Sequence, residues 1–363
     1  TIPLSFIVMK VFFIGKDLKI NMNLFQLGSK DIGIDLGTAN VLVTIKDKGI
    51  VLKEPSVVAI DLKTNSLLAI GKEAKEMLGK TPEQIKAIRP LKDGVIADFT
   101  ATQLMLKEVL RRISKKYNVG RPRIVVGVPS GITEVEERAV EEALIQAGAR
   151  EVFLIEEPMA AAIGSNIEIA EPSGNLIVDI GGGTTEVAVV SLGGIVVSNS
   201  LRVAGDELNE DIINYIKRED NLAIGASTAE QIKLNLGCAI PPTAQQDMEV
   251  RGRDLGTGLP KTIHVTSNEI GQAMSESINK MVDIVRVTLE KTPPELASDI
   301  MAKGIVLAGG GALIKDIDKL ISMKTEIPVY VAEEPLDCVV RGTAKTLENL
   351  QDLKTVLTSS RRR

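Results

Sequence analysis

Two aspartate-glycine signatures, Asp35-Leu36-Gly37-Thr38 and Asp179-Ile180-Gly181-Gly182-Gly183-Thr184, constrain this chain more than anything else in it. Around the first, apolar residues alternate at Ile32, Ile34 and Leu36 and again at Val41, Val43 and Ile45, the pattern of a strand, a tight turn and a returning strand. One such Asp-Gly turn is an ordinary hairpin and says little about chemistry. Two of them 144 residues apart imply that a domain-sized unit occurs twice, each copy contributing one hairpin. A third glycine turn, Gly309-Gly310-Gly311, follows the apolar run Ile305-Val306-Leu307-Ala308 and precedes a helix expected to start near Leu313. All three turns can converge on one cleft.

With 363 residues the chain has room for two or three domains. A content of 44% hydrophobic and 25% charged residues is that of a folded protein. The net charge of -5 and the lack of a basic stripe with interleaved aromatics argue against nucleic acid as the main partner, since only Arg361-Arg362-Arg363 forms a basic run. Cys238 and Cys338 have no CxxC neighbours, so neither a zinc site nor a disulfide framework is indicated, and a reducing cytoplasm fits. The single histidine, His264, sits in a strand-like segment and reads as an ordinary sheet residue. Ile2 to Ile14 is apolar but interrupted by Lys10, is too short to span a bilayer, and is followed by no cleavage site. With methionines at Met9 and Met22, the residues before Met22 read as translated upstream sequence, the alternative being a short membrane anchor.

Strand and helix alternate beyond the first hairpin. Leu104, Leu106, Val109, Leu110 and Ile113 give a helix over Thr102 to Lys115, and Arg123 to Val128 a buried strand ending at Pro129. Thr133 with Glu136 forms a capping box opening a helix that should end near Gly148. A strand over Phe153 to Ile155 then leads into a helix with Pro158 in its first turn.

A phosphate chain needs backbone N–H groups pointing inward with no β-carbon in the way, which glycine in a strand-turn-strand provides. Each hairpin also sets a carboxylate, Asp35 or Asp179, beside its turn, where it can hold magnesium directly or through water. Glu157, between a strand and the helix of Pro158, could orient water in such a cleft; equally, Glu156 and Glu157 could merely complement a helix dipole. Thr184 and Thr185 offer hydroxyls, although threonine is also a favoured strand residue. Ser227-Thr228-Ala229-Glu230 has the form of a capping box, which accounts for Glu230 without a ligand, and Lys233 one turn on could form a surface ion pair with it. The Gly79-Lys80-Thr81 run imitates a P-loop but lacks the first glycine and a preceding strand, and is rejected as one.

Ile34-Asp35-Leu36-Gly37-Thr38-Ala39-Asn40, Ile155-Glu156-Glu157-Pro158-Met159-Ala160-Ala161-Ala162, Asp179 through Glu186, Thr292-Pro293-Pro294-Glu295-Leu296 and Arg89-Pro90-Leu91-Lys92-Asp93-Gly94-Val95-Ile96-Ala97-Asp98 together resemble the MreB/Mbl family of bacterial actins, in its order and spacing, from about residue 30 to residue 350. The resemblance implies an α/β, actin-like (ribonuclease H-like) fold of two lobes around a central nucleotide cleft. Its lobes would span 29–170, with a C-terminal helix over 337–355 packing back, and 171–336, leaving 1–28 as an extension and 356–363 as a basic tail. It implies that Gly37, Thr38, Ala39, Asn40, Gly181, Gly182, Gly183 and Thr184 wrap the phosphates of ATP, that Asp35 and Asp179 serve Mg2+, and that Glu157, helped by Thr184, positions the attacking water. Glu230 and Lys233 would border the adenosine, and Gly309, Gly310, Gly311 and Ala312 would pack against the base.

By the same resemblance the chain is expected to polymerise into double protofilaments on the inner face of the cytoplasmic membrane. There it would act with cell-wall elongation proteins (MreC, MreD and RodZ-like proteins) to maintain rod shape. Some relatives dock through a hydrophobic loop, here the weakly apolar Tyr117-Asn118-Val119-Gly120-Arg121-Pro122, and others through an amphipathic N-terminal segment, of which Met22 to Leu27 is a thin version. Two alternatives share the motif types. A heat-shock chaperone would need a peptide-binding domain after residue 350, and a small-molecule kinase would need a catalytic carboxylate beside an acceptor pocket.

Overall fold

The computed structural model describes residues 30–348 and 357–362. The expectations for 1–28, including Met22 and the amphipathic segment after it, lie outside the described residues, as does the end of the helix expected over 337–355.

The first sheet starts as an antiparallel meander, β1 (Ile32–Leu36), β2 (Asn40–Ile45) and β3 (Gly49–Pro55). β4 (Val58–Asp61), β5 (Ser66–Ile70) and β6 (Ile85–Ile88) form a small sheet of their own with α1 (Lys72–Met77), and β7 (Leu91–Lys92) and β8 (Val95–Ile96) a short ribbon. The chain then alternates through α2 (Phe99–Tyr117), β9 (Arg123–Val128), α3 (Glu134–Ala147), β10 (Glu151–Glu156) and α4 (Glu157–Gly164). β9 and β10 add in parallel beside β1. Local signals set these boundaries. Asp98 caps α2 by accepting from Ala101 N–H, Asn118 ends it in the left-handed region, and α3 has the Thr133/Glu136 capping box and closes at Gly148.

The second sheet repeats the plan. β11 (Asn175–Ile180), β12 (Thr185–Ser191) and β13 (Gly194–Leu201) are an antiparallel meander. Between it and the next strand of this sheet come α5 (Gly205–Asp220), β14 (Leu222–Ala223), α6 (Ala226–Leu236), β15 (Asp247–Asp254), β16 (Pro260–Thr266), α7 (Ser267–Glu290) and α8 (Pro294–Lys303). β17 (Ile305–Ala308), α9 (Ile317–Thr325) and β18 (Val329–Val331) follow, with β17 and β18 parallel to β11. The order β13-β12-β11-β17-β18 reproduces β3-β2-β1-β9-β10 strand for strand in sense. Asp35 and Asp179 thus stand on equivalent central strands, and the repeat read from two hairpins is a repeat of whole sheets. His264 is an exposed residue of β16, opposite Glu249, and both cysteines are buried and free.

Each sheet has its own apolar core, and a third core lies between them. It is built on α4 and on α10 (Cys338–Glu348), which follows the second sheet and crosses back: α4 packs on β11 and β12, α10 on β1, β2 and β9. The two helices touch backbone to backbone, because a β-carbon on Gly342 would fall inside the carbonyl of Ala160 and one on Gly164 inside that of Cys338. Gly342→Ala is therefore expected to lower stability by about 1–3 kcal/mol through overpacking. Denaturant unfolding measures it; an unchanged midpoint would mean that the crossing opens without cost.

The C-terminal residues differ from a basic tail in one respect: β19 (Leu357–Arg362) pairs antiparallel with β10, the outer strand of the first sheet. A run of terminal arginines carries no strand periodicity, so this pairing has no sequence signature. Val119, the aliphatic residue of the loop after α2, is buried, with Ser114 Oγ donating to its carbonyl at 2.6 Å. Among the described residues no helix is long and apolar enough to cross a membrane.

Candidate functional site

The β1–β2 turn is held from behind by Ser56, whose Oγ donates to Gly37 O at 2.6 Å and whose N–H donates to Ala39 O at 2.9 Å. The β11–β12 turn closes through Gly181 N–H to Thr184 O at 2.8 Å. It is braced by the start of α5, where the N–H groups of Gly205 and Asp206 donate to Gly181 O and Gly182 O at 3.2 and 2.7 Å. The turns face each other: a β-carbon on Gly182 would lie 2.9 Å from that of Ala39, and one on Gly183 would lie 2.7 Å from Thr38 Oγ1 and 2.9 Å from Asp93 Cα. These glycines are required by close approach between sheets rather than by an unusual φ. Gly309, at φ 78°, needs its glycine on both counts, because a β-carbon there would strike Asp179 Oδ1 and the Ile180 carbonyl.

The turns enclose a cleft of about 470 Å3, within the range of small-molecule sites. Asp35, Gly37, Thr38, Ala39, Asn40, Glu157, Asp179, Gly181, Gly182, Gly183, Thr184, Glu230, Lys233, Gly309, Gly310 and Gly311 all line it. Ala312 does not; it is buried in the core of the second sheet. Of the paired threonines, Thr184 faces the cleft, while Thr185 Oγ1 donates to Val203 O at 2.7 Å. The Gly79-Lys80-Thr81 run is outside the lining.

The carboxylates give the cleft its electrostatic character. Asp35 is pushed up to about 7 by burial and then by Asp337, and Asp179 to about 7 by burial and then by Asp35. Glu157 is half-buried and lines the cleft. Burial, followed by repulsion from Asp35, Glu186 and Asp179, raises it well above the usual carboxylate range. Three acids that resist ionising together mark a place where a cation is favoured. Among the described residues no set of three His, Cys, Asp or Glu forms a metal cage. A buried carboxylate, Asp179, and a half-buried one, Asp35, beside a phosphate cradle do fit magnesium, which takes one or two carboxylates and completes its shell with water and phosphate oxygens.

Three further expectations are corrected. Ser227 does not cap a helix, because α6 starts at Ala226, two residues earlier than a Ser227 cap implies, with Gly225 as N-cap and no side-chain cap. Glu230 instead pairs with Lys75 of α1 at 2.9 Å, and Lys233 Nζ donates to Gly205 O at 2.6 Å, so tertiary partners replace both the local cap and the predicted Glu230–Lys233 pair. The segment after Gly309 is a single 3-10 turn over Gly310–Leu313, and the helix starts only at Ile317, after Asp316 takes a left-handed conformation.

Sequence reasoning missed the ion pairs that join the two halves at the cleft. Arg89 binds Asp206 and Lys75 binds Glu230, while Lys53 Nζ donates to Asp337 Oδ1 at 2.8 Å and ties the returning C-terminal segment to β3. Arg89 stood in a quoted motif, but a partner 117 residues away leaves no local trace. Asn209 on α5 also lines the cleft, and its buried Oδ1 has no partner in the protein.

Two sheets of one topology, joined by crossing helices and closing glycine hairpins on a shared cleft, define an actin-like, two-lobed protein. The MreB/Mbl protein family model matches residues 29–355. The chain belongs to the MreB/Mbl family. It is 50% identical over 325 residues to the cell shape-determining protein Mbl of Bacillus subtilis, covering 90% of this chain and 98% of that protein. To the cell shape-determining protein MreB of Escherichia coli it is 53% identical over 325 residues, covering 88% and 94%. The crystal structure of MreB5 of Spiroplasma citri bound to ADP superposes with a TM-score of 0.85 at 42% identity, covering 90% of this chain and 98% of that one. That relative has also been solved bound to AMPPNP, with a TM-score of 0.84 at 41% identity and the same coverage.

Proposed function

We propose that this chain is an ATP-hydrolysing bacterial actin. Its subunits assemble into double protofilaments on the inner face of the cytoplasmic membrane and organise cell-wall synthesis with the elongation machinery. The convergence of two equivalent hairpins and Glu157 on one cleft carries this reading. Family membership and the ADP and AMPPNP held by the Spiroplasma citri relative support the nucleotide.

In this reading the lobes are 29–170, with α10 returning to it, and 171–336. The N–H groups of Gly37 to Asn40 and Gly181 to Thr184 take the phosphate oxygens, one set from each lobe. ATP therefore stabilises the closed arrangement that Arg89–Asp206 and Lys75–Glu230 already span. Glu230 and Lys233 stand beside the adenosine. Asp35 and Asp179 would hold magnesium, which when bound neutralises charge on the phosphates. Glu157 and the Thr184 hydroxyl orient the attacking water, whose oxygen bonds to the γ-phosphorus as the bond to the ADP oxygen breaks, and Glu157 can hold the proton released. Loss of the γ-phosphate then weakens the closed state and promotes filament turnover. With Val119 buried, the end of α2 and the β2–β3 turn offer Tyr117 with Lys116 and Lys48 to an interface, so membrane contact there would depend on charge more than on insertion.

Electron microscopy of the purified protein on anionic lipid, with and without ATP, tests assembly, nucleotide dependence and membrane contact together. Paired filaments on lipid with ATP, and few without, are expected. Unassembled protein that consumes ATP only when a small acceptor is added would replace this reading with that of a kinase.

A further inference from the structure

Glu186 is an acid that the hydrolytic scheme leaves without a role. It lies on β12 directly opposite Asp179, is 1% exposed, and does not line the cleft. Its Oε1 accepts from the hydroxyl of Ser200, its cross-strand neighbour on β13, at 2.6 Å, and its Oε2 accepts from the backbone N–H of Ser130 at 3.2 Å. The second bond joins the two lobes, because Ser130 follows β9 in the first sheet whereas Glu186 belongs to the second. Ser130 is buried, and its Oγ donates to Glu156 Oε2. Glu156 is the N-cap of α4, yet its carboxylate makes no helix cap; it serves Ser130 instead. The next residue, the first of α4, is Glu157.

We propose that Glu186 is a positioning residue for hydrolysis, acting from the second lobe through Ser130 and Glu156 to fix the first turn of α4 and so the place of the Glu157 carboxylate. This rests on the reading of Glu157 as the residue that orients water. The logic is geometric. The phosphate cradle of Gly181 to Thr184 and the acid Glu157 stand on different lobes, so water is aligned between them only if something registers one lobe on the other. Glu186, on the strand leaving that cradle, does so through a bond that exists only when the lobes are together. Angstrom-scale misplacement of such a group costs on the order of 10²-fold in rate.

Glu186→Gln separates positioning from charge, because the amide carbonyl can still accept from Ser130 N–H and the amide NH2 can donate to Ser200 Oγ. Single-turnover hydrolysis and ATP affinity are measured for the parent, Glu186→Ala, Glu186→Gln, Ser130→Ala and Glu157→Ala. Glu186→Ala is expected to hydrolyse at least about tenfold more slowly with ATP affinity within about threefold, Glu186→Gln to recover most of the rate, and Ser130→Ala, which keeps the N–H but loses the Glu156 bond, to fall between. A parental rate in Glu186→Ala overturns the proposal. So do equal losses in Glu186→Ala and Glu186→Gln, which would assign the effect to charge, and so does an affinity loss matching the rate loss, which would make Glu186 a structural prop. If Glu186→Ala does not fold, a parental rate in Ser130→Ala or a tenfold loss in Glu186→Gln overturns it. A parent that hydrolyses no ATP, or Glu157→Ala at the parental rate, refutes instead the reading on which the proposal rests.

Discussion

Glu157→Ala is expected to bind ATP within about threefold of the parent affinity and to release phosphate about 10²- to 10³-fold more slowly, the usual cost of removing a positioned acid-base group. The two effects separate because of where the side chain stands. It lines the cleft from the first turn of α4, is not itself part of either phosphate-binding turn, and shares its electrostatic field with Asp35, Asp179 and Glu186. Removing it takes no hydrogen-bond donor from the phosphates and relieves repulsion among the remaining acids. Binding is accordingly preserved or improved, while the attacking water loses its acceptor. Phosphate release under single-turnover conditions, beside equilibrium binding of ATP, measures both. Hydrolysis at the parental rate would reduce Glu157 to a residue that complements the dipole of α4, the other role open to an acid at that position.

That choice could not be made from the sequence, and the reason is general to this cleft. The hairpins were legible because their signal is local: a strand, a carboxylate and a glycine turn are contiguous at Asp35 and again at Asp179, and the repeat tied them together. The capping box at Thr133 and the glycine stop at Gly148 were legible for the same reason. Glu230 shows where local reasoning fails. Its capping pattern was genuine in form, but Lys75, brought in from α1, and not Ser227 is its partner, and α6 starts without any side-chain cap. A helix packed on both sides needs no cap to form, so the pattern goes unused. The residues that join the lobes, Arg89 with Asp206 and Ser130 with Glu186, and those that cross α10 over α4, Gly342 with Ala160, are each paired across long stretches of chain. Their spacing carries no periodicity, and only the folded register of one sheet on the other brings them together.

The acids that crowd this cleft predict a second large effect, on stability. With neither nucleotide nor divalent cation bound, the protein is expected to lose stability as pH rises from about 4 to about 7. Asp35, Asp179 and Glu186 each titrate near 7 in the folded protein, chiefly because they are buried, against ordinary values of 3.8 for the aspartates and 4.5 for the glutamate. Their folded pKa values are raised, so the folded state holds protons that the unfolded chain releases. The resulting stabilisation is complete below the unfolded values and is lost as pH climbs through the folded ones. A carboxyl moved from 3.8 to about 7 favours the folded state by about 4 kcal/mol at the acid end of that window. The groups repel one another, so their contributions do not add. Glu108 works in the opposite sense, since hydrogen bonds from Arg111 and Arg112 hold it down to about 2 and its contribution disappears only on the acid side of the window. Thermal unfolding of the ligand-free protein between pH 5 and pH 8 should therefore give a falling midpoint. Asp179→Asn, which cannot ionise, should flatten the fall. Magnesium with ATP should reverse it, because a cation between Asp35 and Asp179 favours the ionised forms that the empty cleft disfavours. A midpoint that stays level or rises with pH in the ligand-free protein would mean that water reaches these acids freely. The cleft would then have no electrostatic reason to bind a cation.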